Sequence, residues 1–439
     1  MSINIIGGGL AGCEAAYQVA MRGIKVNLYD MKPNKKSPAH HSDKLCELVC
    51  SNSLKAARKE SAAGMLKEEM RMLDSLLMKC ADKSKVPAGG ALAVDREIFS
   101  NLVNEEINNN PNITVINEEV TEIPDGITII ASGPLTSDLL SDKIKTMFGD
   151  SLSFFDAAAP IVKFDTVDMN KAFFASRYDK GDGDDYINCP MNKEEYDNFY
   201  EALVSAERAP VHDFDVMNPK VYEGCMPIEV MAQRGHDTIR FGPMKPVGLK
   251  DPRTGHRPWA VVQLRKENSA GIMYNLVGFQ TNLKFPEQKR VFSMIPGLEN
   301  AEFVRYGVMH RNTFIDSPRI LNSDYSVREN KKLFFAGQIT GVEGYMESAS
   351  SGLMAGINAA MRYIGEQTVT LPEYTMIGSL SRYISDETVS KFQPMGANLG
   401  VLPELEQRPR DKKERAKAYS DRSFAKLTEF INSRGLWWR

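Results

Sequence analysis

Short apolar runs and amphipathic segments alternate along the first 150 residues of the chain. Residues 2–6 and 24–29 are apolar runs that predict buried strands, and the alanine-rich segment 13–21 between them predicts a closely packed helix. Leu66, Met70, Leu73 and Leu77 recur at helical spacing, so we expect one amphipathic helix over 61–80. This alternation predicts an α/β fold with a doubly wound parallel sheet.

The middle of the chain has a different pattern. After Pro160, aromatic and β-branched runs such as 258–264 and 273–279 alternate with Gly and Pro turns, which is typical of antiparallel strands. The alternation of short apolar runs and amphipathic segments returns near residue 305. We therefore expect a discontinuous Rossmann-like domain formed by residues 1–150 and 305–439, into which an α+β domain with antiparallel sheet, residues 151–304, is inserted.

The composition is that of an ordinary globular protein, with 42% hydrophobic and 25% charged residues. No apolar run is long enough for a membrane span, and the chain enters its first strand without a targeting stretch, so we expect a cytoplasmic protein. The cysteines are scattered and form no C-x-x-C pair, which predicts free thiols and no metal site. They are Cys13, Cys46, Cys50, Cys80, Cys189 and Cys225.

The turn after the first predicted strand is rich in glycine. Glycines let a pyrophosphate approach the backbone, and the N-terminus of the following helix offers free N–H groups. Asp30 ends the second predicted strand, where a carboxylate can accept hydrogen bonds from a ribose. This arrangement predicts dinucleotide binding, although the turn alone does not separate FAD, NAD and S-adenosylmethionine. The residues of the turn are Gly7, Gly8, Gly9, Leu10, Ala11 and Gly12.

A second glycine-rich turn, at 337–344, follows a short apolar run and precedes a predicted helix over 347–363 that is dense in small residues. A helix N-terminus aimed at a flavin would stabilise the negative charge of its reduced form. Small residues would equally permit tight packing of the helix on a sheet. A third turn of flavin type follows the run 129–131. Together the three turns favour FAD, with predicted contacts at Gly133, Gly337, Gln338, Gly344, Glu347 and Ser348.

Two cysteines are candidates for nucleophilic chemistry. Cys225 directly precedes Met226 and Pro227, and proline favours the first position of a helix, where a thiol becomes a better nucleophile. Cys50 follows an apolar run, and Cys46 lies four residues before it, which leaves a redox dithiol open. Either candidate thiol can instead be a structural cysteine.

Basic residues concentrate in two segments. Residues 234–266 hold one cluster, and residues 408–439 contain ten Lys/Arg against four Asp/Glu in a chain whose net charge is -3. Such clusters are typical of polyanion binding, but solvated surface positions explain them equally well.

Taken together, these motifs resemble those of the bacterial methylenetetrahydrofolate- and FAD-dependent tRNA (uracil-5-)-methyltransferases. The resemblance extends along essentially the whole chain and is most specific around Cys50 and Cys225. Asp30 and Lys32 stand where the family pattern leads us to expect Glu and Arg, and Cys46 lies outside that pattern. The segments that carry the resemblance are 7–12, 47–54, 86–96, 222–229, 309–313 and 341–348.

The resemblance implies C5 methylation of the T-loop uridine, position 54, of tRNA. It implies that Cys225 adds to C6 of the uracil and that Cys50 removes the C5 proton or supports its removal. Methylenetetrahydrofolate brings carbon at the formaldehyde level, so a hydride from reduced FAD is also needed, and NAD(P)H is expected to reduce the FAD. His310 and Tyr345 are implied at the folate site, and the basic clusters at the tRNA backbone.

Several alternatives remain open at this stage. The same chemistry can act on a uridine of ribosomal RNA, and an FAD-dependent NAD(P)H or thiol oxidoreductase would use a dithiol beside the flavin. Related flavoproteins that modify wobble uridines have longer chains with an added C-terminal helical domain. A non-catalytic FAD-bound RNA-binding protein would not need Cys225. The oligomeric state is not predicted.

Overall fold

The computed structural model describes residues 2–37, 39–149, 152–179, 185–209, 226–390 and 392–434. Over these residues the chain forms sixteen strands and thirteen helices. The strands are β1 (Ile3–Ile6), β2 (Val26–Tyr29), β3 (Ser53–Ala56), β4 (Lys85–Val86), β5 (Ala91–Val94), β6 (Ile113–Ile116), β7 (Thr128–Ile130), β8 (Leu152–Ala157), β9 (Ile161–Lys163), β10 (Phe173–Phe174), β11 (Tyr186–Met191), β12 (Ala260–Lys266), β13 (Met273–Leu276), β14 (Phe303–Arg305), β15 (Met309–Phe314) and β16 (Leu333–Phe335). The helices are α1 (Leu10–Met21), α2 (Ala62–Met72), α3 (Leu76–Lys83), α4 (Arg96–Asn108), α5 (Asp138–Phe148), α6 (Lys193–Val204), α7 (Ile228–Ala232), α8 (Thr238–Phe241), α9 (Phe285–Phe292), α10 (Ser317–Ile320), α11 (Tyr345–Ile364), α12 (Met376–Tyr383) and α13 (Lys412–Arg434).

A five-stranded parallel sheet forms the centre of the larger domain, in the order β16-β7-β1-β2-β6. Strand β16 pairs with β7 although about 200 residues separate them, so the chain leaves this sheet and returns to it. The strands β1, β7 and β16 are buried along their whole length and apolar except for Asn4 and Thr128, as expected for a parallel sheet covered on both faces. The predicted doubly wound α/β architecture is confirmed.

Helices α1 and α11 pack closely against each other beside this sheet. A Cβ atom at Gly352 would lie 2.1 Å from the Ala11 carbonyl oxygen, and one at Gly356 would lie 2.7 Å from that of Ala15. Neither position has room for a larger residue. These two small residues of α11 therefore serve helix packing, which is one of the two interpretations that their sequence left open.

The middle of the chain forms a second core around a six-stranded sheet, in the order β10-β11-β12-β13-β9-β14. The strand pairs in this sheet are antiparallel. The expected inserted domain with antiparallel sheet is thereby confirmed, whereas its boundaries at residues 151 and 304 stay a prediction. A two-stranded ribbon, β8 with β15, and a three-stranded sheet, β3-β5-β4, complete the strand pairing.

The predicted helix over 61–80 is wrong, because the segment forms two helices, α2 and α3. Asp74 between them adopts a left-handed φ of 59°. The side chain of Ser75 caps α3, and the buried carboxylate of Glu14 accepts hydrogen bonds from the N–H groups of Leu76 at 3.1 Å and Leu77 at 3.0 Å. A contact from α1 thus satisfies the first N–H groups of a new helix, which helical spacing alone does not reveal.

The C-terminal helix α13 docks on α2 through one buried carboxylate. Glu69 accepts hydrogen bonds from the Ser423 hydroxyl at 2.6 Å and from the N–H groups of Met376 and Ile377 at 2.7 and 2.9 Å. The same group therefore joins α2, the start of α12 and α13. Across the ranges described above, no helix combines the length and apolar character that crossing a membrane requires.

Candidate active site

A cleft with about 1100 Å³ of empty space opens at the carboxyl ends of the parallel strands. Strand β1 contributes Gly7, β2 contributes Asp30, β7 leads to Gly133 and β16 leads to Gly337. Ligands of doubly wound sheets bind at this edge. The predicted cofactor residues that line the cleft are Gly7, Gly8, Gly9, Leu10, Ala11, Asp30, Gly133, Gly337, Gln338 and Ser348.

The glycine-rich turn after β1 has the shape of a cradle for a pyrophosphate. Gly7 has a φ of +110°, and a Cβ atom there would lie 2.4 Å from the Ala131 carbonyl oxygen. A Cβ atom at Gly8 would lie 2.3 Å from a carboxylate oxygen of Asp30, which accepts a hydrogen bond of 3.0 Å from the Gly8 N–H. A Cβ atom at Gly9 would meet no protein atom within 4 Å, because that position faces open space. The turn therefore fits the diphosphate of FAD.

Three of the predicted cofactor residues, Gly12, Gly344 and Glu347, lie outside the lining of the cleft. A Cβ atom at Gly12 would lie 1.8 Å from the Gly7 carbonyl oxygen, so Gly12 lets α1 approach the turn. Glu347 is buried and forms an ion pair of 2.7 Å with Lys55. A Cβ atom at Gly344 would collide with both partners of that pair. In the structure these three residues pack behind the residues that line the cleft.

Cys50 is held next to the cleft by Tyr345, which lines it. The Tyr345 hydroxyl accepts hydrogen bonds from the N–H groups of Cys50 at 2.7 Å and Ser51 at 3.1 Å. The Cys50 thiol donates to the Ala157 carbonyl oxygen at 3.7 Å. Burial raises the pKa of Tyr345, and Cys50 adds to that shift, so the hydroxyl stays protonated at neutral pH. Tyr345 thus positions the loop that carries the thiol.

Three arginines surround the same loop. Arg96 donates to the carbonyl oxygens of Leu48 and Cys50, and its Nε lies 2.6 Å from the buried carboxylate of Glu267. The two other arginines bind the loop next to Cys50. Arg265 donates to the Ser51 hydroxyl at 3.0 Å, and Arg305 donates to the Val49 carbonyl oxygen at 2.6 Å.

The pKa values of the three arginines shift in different directions. Burial lowers the pKa of Arg96, but Glu267, Tyr345 and Cys50 outweigh it, so the pKa of Arg96 is raised. Burial lowers the pKa of both Arg265 and Arg305, and the nearby Arg96 adds to both shifts. Three guanidinium groups against two carboxylates, Glu267 and Glu47, leave an excess of positive charge around the loop, an environment typical of reactive thiols.

Sequence reasoning did not single out these arginines or Glu267. Arg96 is the last residue of the segment 86–96, which carries part of the family resemblance. Its place in that segment is the one signal in the sequence for this arginine. Arg265 belonged to a cluster that was interpreted as surface, yet it is buried. Nothing in the local pattern predicts that residues 96, 265 and 305 converge, because three separate elements, α4, β12 and β14, carry them.

The other two cysteines near the site in the sequence, Cys46 and Cys225, differ from Cys50. Cys46 is buried and lines the cleft, and burial raises its pKa well above the usual range, which makes it a poor nucleophile. Cys225 lies outside the described residues. The chain is described again from Met226, and Ile228 begins α7, a helix of five residues whose N-cap is Pro227.

The beginning of α7 is connected to Cys50 by a short series of contacts. The Ile228 N–H donates to the Gln280 carbonyl oxygen at 2.7 Å, and the adjacent Thr281 N–H donates to that of Ala158 at 3.3 Å. Ala158 is the neighbour of Ala157, which accepts from Cys50. His310 is described by its backbone alone, which pairs in β15 with residue 156 of β8.

Known proteins resemble this chain in sequence and in fold. The family model described as "Glucose inhibited division protein A" matches residues 2–367. The solved structure of Aquifex aeolicus GidA in its form II crystal superposes with a TM-score of 0.71 at 17% identity, covering 98% of this chain and 73% of that one. The form I crystal gives a TM-score of 0.70. Fold and cleft together define an FAD-binding protein of the GidA class.

Relatives with assigned names show to which family within this class the chain belongs. The methylenetetrahydrofolate--tRNA-(uracil-5-)-methyltransferase TrmFO of Acetivibrio thermocellus is 61% identical over 432 residues, which cover 98% of each chain. The protein of the same name from Lysinibacillus sphaericus is 57% identical over the same length and coverage. This chain therefore belongs to the methylenetetrahydrofolate–tRNA-(uracil-5-)-methyltransferase family. The resemblance drawn from its motifs is confirmed.

Proposed function

We propose that this chain transfers a one-carbon unit from methylenetetrahydrofolate to C5 of the T-loop uridine at position 54 of tRNA. As a member of its family, the chain is an enzyme, a folate-dependent tRNA uridine methyltransferase. One structural observation carries the finer proposal. Tyr345 lines the FAD cleft and also holds the backbone of Cys50, so a thiol lies where cofactor and substrate must meet.

The chemistry needs a nucleophile, a base and a reductant. C5 of uracil is a weak nucleophile, and addition of a thiolate to C6 converts it into an enolate that attacks the folate methylene carbon. Removal of the C5 proton then breaks the bond between the transferred carbon and the folate nitrogen, so tetrahydrofolate leaves and an exocyclic methylene remains at C5. Bound reduced FAD supplies the hydride that turns this methylene into a methyl group. The added thiolate departs from C6 and restores the ring.

In this proposal Cys225 is the nucleophile and Cys50 is the base. The excess positive charge from Arg96, Arg265 and Arg305 supports an anionic Cys50, which can accept the C5 proton. Cys225 lies three residues before the start of α7 in the sequence, and the contacts of Ile228 and Thr281 connect the start of that helix to the Cys50 loop. An exchange of the two roles would leave the overall reaction unchanged.

The other small molecules belong to the same cleft. We propose that folate lies between the flavin and the side chains of Tyr345 and His310, because planar aromatic groups suit a pterin. NAD(P)H is proposed to reduce FAD by entering the same cleft, since a single glycine turn of the dinucleotide type precedes the insertion. A tRNA substrate would place the enzyme in the cytoplasm.

The first test is nucleoside mass spectrometry on an unmodified tRNA transcript after incubation with the protein, methylenetetrahydrofolate and NAD(P)H. We expect 5-methyluridine, and we expect its loss when the transcript carries cytidine at position 54. Cys225→Ser and Cys50→Ser should each reduce product at least about 100-fold. Cys46→Ser is the matched control and should retain activity, because its thiol is buried and protonated.

Other results would overturn the proposal in distinct ways. If tRNA stays unmodified while a ribosomal RNA fragment is methylated, the substrate assignment is wrong. If NAD(P)H is oxidised without any methylated nucleoside, and Cys46→Ser abolishes that oxidation, the protein is a thiol oxidoreductase instead.

A further inference from the structure

The most exposed large apolar side chain among the described residues is Phe241, with 69% of its surface accessible to solvent. It ends the short helix α8 in the inserted domain. A single exposed phenylalanine is common on protein surfaces, so it indicates a binding partner only where its surroundings also favour one. Its surroundings indicate the chemistry of that partner.

One cation, Arg240, lies close to both Phe241 and a second aromatic ring. The Arg240 guanidinium lies 3.8 Å from the ring centre of Trp259 and 5.2 Å from that of Phe241. Lys245 and Arg257 are exposed, and neither forms an ion pair with any residue that the structure describes. We call Arg240, Phe241, Lys245, Arg257 and Trp259 the α8 patch.

Acidic groups do not neutralise the patch. Residues 226–257 contain six Lys/Arg and three Asp/Glu. Of the three acids, Glu229 is buried against Thr281, and Asp251 is buried and paired with Arg253. Asp237 alone is exposed, 3.8 Å from Arg240. The exposed charge of the patch is therefore positive, which suits a polyanion.

The backbone under the α8 patch is well fixed. The half-buried Arg177 donates to the carbonyl oxygens of Lys245 and Val247, and the Met244 carbonyl oxygen accepts a hydrogen bond of 3.0 Å from the N–H of Val261 in β12. The Arg240 Nε also donates to the Trp259 carbonyl oxygen at 3.0 Å. The backbone of the patch and the Arg240 side chain are therefore fixed before a partner arrives.

The second basic cluster, on α13, also places cations over aromatic rings, since Arg422 lies 4.7 Å from the ring centre of Tyr374 and Arg434 lies 5.2 Å from that of Phe430. It differs from the α8 patch in its ion pairs and in the exposure of its rings. Lys417 and Lys426 form ion pairs with Asp421 and Glu429 of the same helix, and Arg422 donates to two carbonyl oxygens. No aromatic residue in the described part of this cluster, 408–434, has an exposure comparable to that of Phe241. The structure thus separates two clusters that the sequence left equivalent.

The α8 patch is also connected to the active site. A Cβ atom at Gly278 would lie 2.5 Å from Pro243, and the loop that starts at Gly278 continues to Gln280 and Thr281. These last two residues carry the contacts that join α7 to Ala158, next to the acceptor of the Cys50 thiol. A few contacts therefore link the backbone beneath the patch to the loop that carries Cys50.

We propose that the α8 patch is the docking surface for the loop of the tRNA substrate, with an unpaired base stacked on Phe241 and phosphates bound by Lys245 and Arg257. This inference rests on the proposed function. Unpaired bases of RNA loops stack on aromatic side chains, and cations bind the backbone around them without reading its sequence. A stacked neighbour would also hold the loop open while the target uridine is flipped out.

The test compares Phe241→Ala and the double variant Lys245→Glu/Arg257→Glu with the wild-type holoenzyme. Fluorescence anisotropy with an unmodified tRNA transcript gives Kd over a range of salt concentrations, and steady-state methylation gives KM and kcat. Phe285→Ala is the matched control. Its ring is 52% exposed but stacks on Tyr306 between the ion pairs of Lys284 and Arg290.

We expect Phe241→Ala to raise Kd and KM for tRNA about tenfold. The double variant should do the same and should reduce the salt dependence of Kd by about two counterions. Saturating kcat, NAD(P)H oxidation and FAD content should stay within about twofold of the wild type, and Phe285→Ala should match the wild type. A Kd for tRNA that Phe241→Ala leaves unchanged, or that Phe285→Ala raises equally, would overturn the inference. A wild-type protein that forms no 5-methyluridine would instead overturn the proposed function.

Discussion

The Tyr345 hydroxyl oxygen accepts a hydrogen bond of 2.7 Å from the backbone N–H of Cys50, which lies 295 residues earlier in the chain. Tyr345 begins α11, and Cys50 precedes β3. The contact therefore joins the two parts of the discontinuous domain at the point where the thiol meets the cofactor cleft. Its consequences can be tested by substitution.

Tyr345→Phe should lower kcat for methylation about tenfold, because the N–H groups of Cys50 and Ser51 lose their acceptor and the loop loses its fixed position. The ring remains, so KM for the folate should change little. Steady-state kinetics separates the two parameters. Tyr383→Phe, which removes a hydroxyl bound to an exposed carbonyl oxygen, is the control. A rise in KM for folate at unchanged kcat would show that the hydroxyl binds the folate directly.

Glu267→Gln should destabilise the protein by about 3 kcal/mol, because it leaves the buried Arg96 without its carboxylate partner. The rate of methylation should also fall, because Arg96 donates hydrogen bonds to the Leu48 and Cys50 carbonyl oxygens. Urea unfolding of the holoenzyme measures the change. Glu287→Gln breaks an exposed pair with Arg290 and should cost less than about 1 kcal/mol. Equal effects of the two substitutions would contradict the role given to Glu267.

Gly12→Ala and Gly9→Ala should separate packing from cofactor binding. Gly12→Ala forces a methyl group against the Gly7 carbonyl oxygen and should destabilise the apoprotein by at least about 3 kcal/mol. The methyl group added by Gly9→Ala meets no protein atom, so this substitution should leave apoprotein stability unchanged. The same methyl group projects into the cleft and should therefore lower the affinity for FAD. Thermal unfolding of apoprotein and FAD titration measure the two effects. Normal FAD affinity in Gly9→Ala would show that the cofactor does not approach this turn.

Stability should depend on pH through Glu69. Burial raises the pKa of Glu69 from 4.5 to about 7, in spite of the three donors that point at it. Between these values the folded protein holds a proton that the unfolded chain has released. The contribution of Glu69 is thus fully present below pH 4.5 and is lost as the pH rises to about 7. The loss amounts to roughly 3 kcal/mol.

Urea unfolding from pH 5 to 8 tests this dependence in the wild type and in Glu69→Gln. The variant cannot titrate at this position, so its stability should fall less steeply with pH than that of the wild type. Glu373→Gln, an exposed position just before α12, should follow the wild-type curve. Parallel curves for the wild type and Glu69→Gln would mean that Glu69 titrates normally in the folded protein.

Local patterns predicted the elements that depend on neighbours in sequence. The apolar runs at 2–6 and 24–29 become β1 and β2, and the glycine turn between them lines the cleft. The interruption at Asp74 escaped prediction, because a carboxylate on another helix creates it. The ion pair of Glu347 with the distant Lys55 also escaped prediction, whereas the role of Glu347 at the cofactor stays a prediction.

By itself, the sequence determined the α/β class, the insertion, the FAD turn after β1 and the family, because periodicity, glycine spacing and short motifs are encoded within a few residues of one another. Tertiary structure alone decided how Cys50 is held, which arginines surround it and which basic cluster presents an exposed ring. Those properties depend on residues such as Arg96, Arg265 and Tyr345, which are far apart along the chain. Only the folded packing of their separate elements brings them within hydrogen-bonding distance of one loop.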